Sequence, residues 1–148
     1  MDTILPSDFR EFLKLLNSRN VRYLLIGGYA VGYHGYSRAT ADMDLWIDID
    51  PDNAARVVSV LREFGFASAE LEPSLFLDEG KIVRMGVPPL RIEILTTISG
   101  VSFGDCYSQR VTAQIDGLEV PVISLEQLKV NKRASGRFKD LADLDQLK

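Results

Sequence analysis

Two carboxylates alternate inside one apolar run, Asp42-Met43-Asp44-Leu45-Trp46-Ile47. An ionised acid in a half-buried strand has to be paired or has to coordinate a metal, because removing it from water is otherwise too costly. Side chains of a strand alternate between its faces, so Asp42 and Asp44 project together, close enough to share a divalent cation. Upstream, the apolar run Tyr23-Leu24-Leu25-Ile26 ends at Gly27-Gly28, and thirteen residues separate Gly28 from Asp42. Strand, glycine pair, short helix and Asp-x-Asp strand together read as a nucleotide- and metal-binding site.

The chain of 148 residues is long enough to bury a core unaided and is read as a single domain over 1–148. Cys106 is its only cysteine, which excludes an internal disulfide and suits a reducing cytoplasm. No apolar stretch reaches membrane-spanning length, and Met1-Asp2 lacks the basic start of a signal peptide. The expectation is a cytoplasmic protein with no membrane partner. The net charge of −4 argues against a general nucleic-acid coat. It is unevenly spread: residues 129–148 hold six basic groups (Lys129, Lys132, Arg133, Arg137, Lys139, Lys148) and three acidic ones, net +3, leaving −7 for the rest. An acidic body with a basic C-terminal segment suits a polyphosphate ligand, though a solvated helix face would carry the same charges.

Periodicity predicts a helix from Ser7, as N-cap, to about residue 19, with Phe9, Phe12, Leu13 and Leu16 as its apolar stripe. A strand over 22–26, a short helix over 29–36 and the Asp-x-Asp strand to about residue 49 follow. Asp50-Pro51 starts a helix that Gly65 ends. Residues 66–80 give no clear pattern. Strands are expected over 81–85 and 90–95 around a Gly-Val-Pro-Pro turn, then a short helix within 103–110. Asp116-Gly117 joins two more strands as a hairpin. Ser124 and Gln127 form a capping box for a helix ending at Gly136, and a last helix starts near Lys139. The fold class is α/β (α+β): a small mixed, largely antiparallel sheet packed with helices.

At Gly27-Gly28 the missing Cβ atoms let backbone N–H groups approach an anion; the alternative is a plain turn. Glu93, between Ile92 and Ile94, is the candidate third carboxylate of a site for two Mg²⁺ ions, its alternative being a solvent-facing acid on an alternating strand. Asp48 shares the parity of Asp42 and Asp44 but lies about 13 Å beyond Asp44 along a strand. Arg38 and Thr40 would touch phosphate or order the loop before Asp42. Lys129, Lys132 and Arg133 are expected on one helix face, for phosphate or for solvent. His34 and Cys106 are read as structural. Tyr29, Tyr33 and Tyr36 fit an entrance, with core packing as the equal alternative for Tyr29 and Tyr33.

Ile26-Gly27-Gly28, the gap, and Asp42-Met43-Asp44-Leu45 resemble the defining motif of the nucleotidyltransferase superfamily related to DNA polymerase beta. The run from Gly27 to Asp44, and the ending Lys132 to Leu144 with its Arg-x-x-Asp-Leu-x-Asp pattern, are similar to its small bacterial and archaeal branch, which includes AbiEii-type toxins. The resemblance covers most of residues 21–145. It implies a nucleotidyltransferase-like fold and transfer of a nucleoside monophosphate from an NTP to a hydroxyl acceptor (RNA, protein or small molecule). Gly27 and Gly28 would hold the phosphates, and Asp42, Asp44 and Glu93 would bind Mg²⁺. Lys132 would contact phosphate or substrate, and Asp140 matches the late acidic position. A toxin role would add an antitoxin partner. A non-catalytic nucleotide-binding module and an antibiotic-modifying enzyme are the competing readings.

Overall fold

The computed structural model describes residues 5–36, 42–66, 68–87 and 90–147. Among them a six-stranded sheet has the order β3-β4-β2-β1-β6-β5. The strands are β1 (Tyr23–Ile26), β2 (Asp42–Ile47), β3 (Ile82–Val87), β4 (Leu90–Leu95), β5 (Val111–Ile115) and β6 (Leu118–Val122). β1–β2, β3–β4 and β5–β6 pair antiparallel, whereas β2–β4 and β1–β6 pair parallel. The mixed, largely antiparallel sheet expected from the sequence is therefore present.

Among the described residues six α-helices accompany it: α1 (Ser7–Ser18), α2 (Gly27–Tyr33), α3 (Pro51–Phe64), α4 (Phe103–Ser108), α5 (Leu125–Ser135) and α6 (Phe138–Gln146). The stripe Phe9, Phe12, Leu13 and Leu16 of α1 is fully buried and packs with α3, where Phe12 meets Phe64 edge to face at 5.2 Å. In β2, Met43, Leu45 and Ile47 share one face and are buried. Asp42, Asp44 and Trp46 share the other. Trp46 is buried there, against the Phe103 ring at 5.2 Å, and its Nε1 donates to the Thr96 carbonyl at 3.1 Å. No helix among the described residues is long and apolar enough to cross a membrane.

Several boundaries differ from expectation for local reasons. Pro6, not Ser7, occupies the N-cap of α1, so no side chain caps that helix. α2 starts directly at Gly27 and ends at Tyr33, and the Tyr36 amide then closes the loop onto the Val31 carbonyl. The unreadable stretch holds a 3₁₀ turn, Pro73–Phe76, that inserts Phe76 into the core. Pro88 and Pro89 of the expected turn lie outside the described residues.

The expected caps at Asp50, Gly65, Ser124 and Gly136 are all in place. Beside the first of them lies a residue with no sequence signal. Asn53 is completely buried; its Oδ1 accepts from the Arg22 amide at 2.7 Å, and its Nδ2 donates to the Arg22 and Asp48 carbonyls at 3.1 and 3.0 Å. One side chain thus ties the start of β1, the end of β2 and the first turn of α3. The Arg22 guanidinium completes the corner on Asp48 at 2.6 Å. Asn53→Ala strands three backbone groups and should cost about 2–4 kcal/mol. The corresponding fall in Tm is on the order of 10 °C. Asp50→Ala removes one cap bond and should cost about 1 kcal/mol. Denaturant unfolding that ranks the two variants the other way would remove Asn53 from this role.

Candidate functional site

The side-by-side pairing of β2 and β4 builds the site. In the parallel register Asp42 lies opposite Arg91 and Asp44 opposite Glu93. On the far side of β4, Arg84 of β3 lies opposite Glu93. On the far side of β2, Ile26, the last residue of β1 before Gly27, lies opposite Asp44. Acids from two strands therefore converge on one face with two arginines among them. A cleft of about 590 Å³ opens above them, floored by Gly27, Gly28, Asp42, Asp44, Arg84, Arg91 and Glu93. The α5–α6 corner (Asn131, Lys132, Ser135, Arg137, Lys139, Asp140) forms its opposite wall.

Gly27 is required by close approach. Its φ is +67°, and a Cβ there would meet the Asp44 carboxylate, 2.9 Å from its Cγ and nearer still to Oδ2. Only a glycine lets β1 turn into α2 directly beside this acid.

The three carboxylates are unequal. Glu93 is held at Oε1 by Arg84 Nε at 3.3 Å and Arg91 Nη2 at 3.2 Å. Asp42 Oδ2 receives the same Arg91 nitrogen at 3.0 Å. Asp44 is pushed up to about 6, first by burial and then by repulsion from Glu93 and Asp42, with Lys139 and Lys132 drawing it back in part. Acids concentrated in this way fit a divalent cation by donor type, since Mg²⁺ takes carboxylate and phosphate oxygens. No group of three His, Cys, Asp or Glu among the described residues surrounds a common metal position; a guanidinium stands between two of these acids instead.

The basic wall differs from the expected exposed stripe. Lys132 is buried, its Nζ at 3.0 Å from Asp140 Oδ1 and 3.2 Å from Asp143 Oδ2, whereas Arg133 is exposed on another side of α5. Lys129, Lys132 and Arg133 thus share no solvent face, because the period of α5 turns Lys132 inward with Leu128. Asp140 Oδ2 also accepts from Ser135 Oγ at 2.5 Å and Arg137 Nε at 2.6 Å. Burial would raise the Asp140 carboxyl, but these hydrogen bonds and that of Lys132 outweigh it and hold it at about 2. Lys132 and Asp140 both line the cleft, and together they join α5 to α6. Lys139 is exposed at its rim.

Of the residues singled out in the sequence, Gly27, Gly28, Asp42, Asp44, Glu93, Lys132 and Asp140 meet around this one cleft. Arg38 and Thr40 lie outside the described residues. Asp48 points to Arg22, away from the cleft. His34 bonds through Nε2 to the Ile123 carbonyl at 2.7 Å, and Cys106 is buried, both as structural residues. Arg84 and Arg91 escaped the sequence reading. Arg91 carried a parity signal, standing two positions before Glu93 on the same strand face, whereas Arg84 reaches Glu93 only through the β3–β4 pairing.

A carboxyl raised to about 6 from an ordinary 3.8 keeps its proton more tightly in the folded chain. The stability this proton confers is complete below about pH 4 and lost as pH rises through about 6. Asp44→Asn should therefore stabilise the protein above pH 7, by up to about 3 kcal/mol, and leave it unchanged near pH 4. Thermal unfolding at both pH values checks this; an Asn variant less stable than the parent at pH 8 would refute the electrostatic account.

Comparison with known proteins agrees with this architecture. No curated protein matches the sequence. Among solved structures, a protein from Thermotoga maritima described as a candidate nucleotidyltransferase matches with a TM-score of 0.66 and 17% identity, over 97% of this chain and 94% of its own. Lincomycin-bound lincosamide antibiotic adenylyltransferase LnuA matches with a TM-score of 0.58 and 15% identity, over 99% and 98%. An antigenic nucleotidyltransferase-like protein from Paracoccidioides brasiliensis matches with a TM-score of 0.54 and 20% identity, over 95% and 74%. These likenesses establish the nucleotidyltransferase fold. The family model described as aminoglycoside-2''-adenylyltransferase matches residues 8–147, and the chain therefore belongs to that family of nucleotidyltransferases.

Proposed function

We propose that this protein is a Mg²⁺-dependent enzyme that transfers a nucleoside monophosphate from an NTP to a hydroxyl of a small-molecule acceptor. The carrying observation is the convergence of Asp42, Asp44 and Glu93 on one sheet face beside Gly27-Gly28, under a wall bearing Arg137 and Lys139. In the transfer, an acceptor hydroxyl oxygen bonds to the α-phosphorus, the α–β phosphoanhydride bond breaks, pyrophosphate leaves, and the hydroxyl proton passes to solvent or a carboxylate. Asp42, Asp44 and Glu93 would hold the metal, which supplies charge neutralisation on the attacking and leaving oxygens. Gly27 and Gly28, lacking a Cβ, would let phosphate oxygens approach their backbone, and Lys139 adds an exposed positive charge at the rim. A charged Asp44 at neutral pH is costly in the isolated chain and becomes favourable once a cation faces it.

The family's name makes an aminoglycoside the first acceptor to test, and the name of LnuA makes a lincosamide the second. Incubation with an NTP mixture, Mg²⁺ and each drug, read by mass spectrometry, should show a product heavier by one nucleotide. Expression should then protect cells against that drug. Slowed growth without drug would favour the toxin reading and an antitoxin partner instead. Binding of NTP without transfer to any acceptor would favour a non-catalytic module.

Asp42→Ala and Asp44→Ala should each lower transfer at least a thousandfold while the protein remains folded, and transfer surviving in both would defeat the assignment. Glu93→Gln should lower activity a hundredfold or more. Asp48→Asn should stay within about threefold of the parent, because Asp48 serves the Arg22 corner. The reverse order in a side-by-side assay would remove Glu93 from the triad.

A further inference from the structure

Arg91 stands where the metal reading would place a cation. Strand parity puts it on the face of Glu93, and the parallel register puts it opposite Asp42. A single nitrogen, Nη2, lies 3.0 Å from Asp42 Oδ2 and 3.2 Å from Glu93 Oε1. A guanidinium carries its charge at every accessible pH and has no acceptor atom, so it can balance these acids but cannot help ligate a metal. Its Nε is buried and finds no hydrogen-bond partner among the described residues, so the pose leaves one donor unsatisfied. The side chain is 30% exposed and borders the cleft, which leaves it a path outward. Arg84, on the neighbouring strand, holds Glu93 Oε1 independently at 3.3 Å, so Glu93 keeps a partner when Arg91 leaves.

We infer that Arg91 is a resident counter-cation of the site. It bridges Asp42 and Glu93 in the metal-free protein, competes with a divalent cation for them, and turns to the nucleotide phosphates when metal and nucleotide arrive together. The inference rests on the metal-binding reading of Asp42, Asp44 and Glu93. Its consequence is thermodynamic coupling: metal alone binds weakly because it must displace a fixed charge, and the metal–nucleotide complex binds well because it offers that charge a new partner. Arg91 is a positioning residue here, acting through the acids it occupies.

The test compares Arg91→Met with the parent in two titrations. In the first, Mn²⁺ alone is followed by electron paramagnetic resonance; the variant should bind at least fivefold more tightly. In the second, a non-hydrolysable NTP analogue with Mg²⁺ is followed by calorimetry; the variant should bind at least fivefold more weakly. A structural lesion would weaken both, so opposite signs identify the competition. Should Arg91→Met fold poorly, the parent chain suffices: the nuclear magnetic resonance signal of the Arg91 Nε–H should shift on adding Mg²⁺ with the analogue. Mn²⁺ affinity equal or lower in the variant, or an unmoved Nε–H signal, overturns the inference and leaves the metal site standing. Absence of Mn²⁺ binding in both proteins overturns the metal site together with it.

Discussion

The parallel pairing of β2 with β4 is the constraint from which the site follows. It sets Asp42 beside Arg91 and Asp44 beside Glu93, and no loop is needed to bring the acids together. Burial and, after it, repulsion between like charges held this close both raise the Asp44 carboxyl. The sheet resists that repulsion through the opposite side of β2, where Met43, Leu45 and Ile47 are fully buried. A side chain on a rigid, centrally paired strand has little freedom to swing away from its neighbours. Electrostatic cost and positional accuracy at this face therefore have one origin.

The α5–α6 corner answers the sheet with charge of the other sign, but spends some of it internally. Lys132 lies between Asp140 and Asp143, and Arg137 and Ser135 complete the shell around Asp140. A buried ion pair contributes modest net stability but is severely destabilising when one member is removed. Its effect here is geometric, since it fixes the angle at which α6 leaves α5 and so where Lys139 stands above Asp44. The positive field in the cleft comes from Arg84, Arg91, Arg137 and Lys139 together with the buried Lys132, whose charge still reaches Asp44 although its ammonium is paired within the corner.

Much of this was legible in the chain, and the reason is locality. Asp50-Pro51, Gly65, Ser124 and Gly136 declare helix ends within a few residues, and Asp42-x-Asp44 declares a charged strand face by its alternation. Glu93 was legible because an acid between two isoleucines is conspicuous. What stayed hidden depended on partners distant in sequence. Lys132 read as a surface cation because its two carboxylate partners belong to the next helix. Asn53 gives no signal in the sequence because the three partners of its side chain are backbone groups outside α3. Arg91 required knowledge that β4 runs parallel to β2. Pro6 displaced Ser7 as the cap by a shift of one residue, which periodicity does not resolve.

Trp46 gives the molecule an optical consequence. It is the sole tryptophan, two residues beyond Asp44 on the same strand face, sealed against Phe103 and anchored to the Thr96 carbonyl that follows β4. Its indole therefore joins the two strands that carry the acids to the helix packed on them, in a dry environment that loosening of that junction would flood with water. Intrinsic fluorescence of this protein, excited at the red edge of aromatic absorption, is consequently a one-residue signal from the framework of the site, without any label attached.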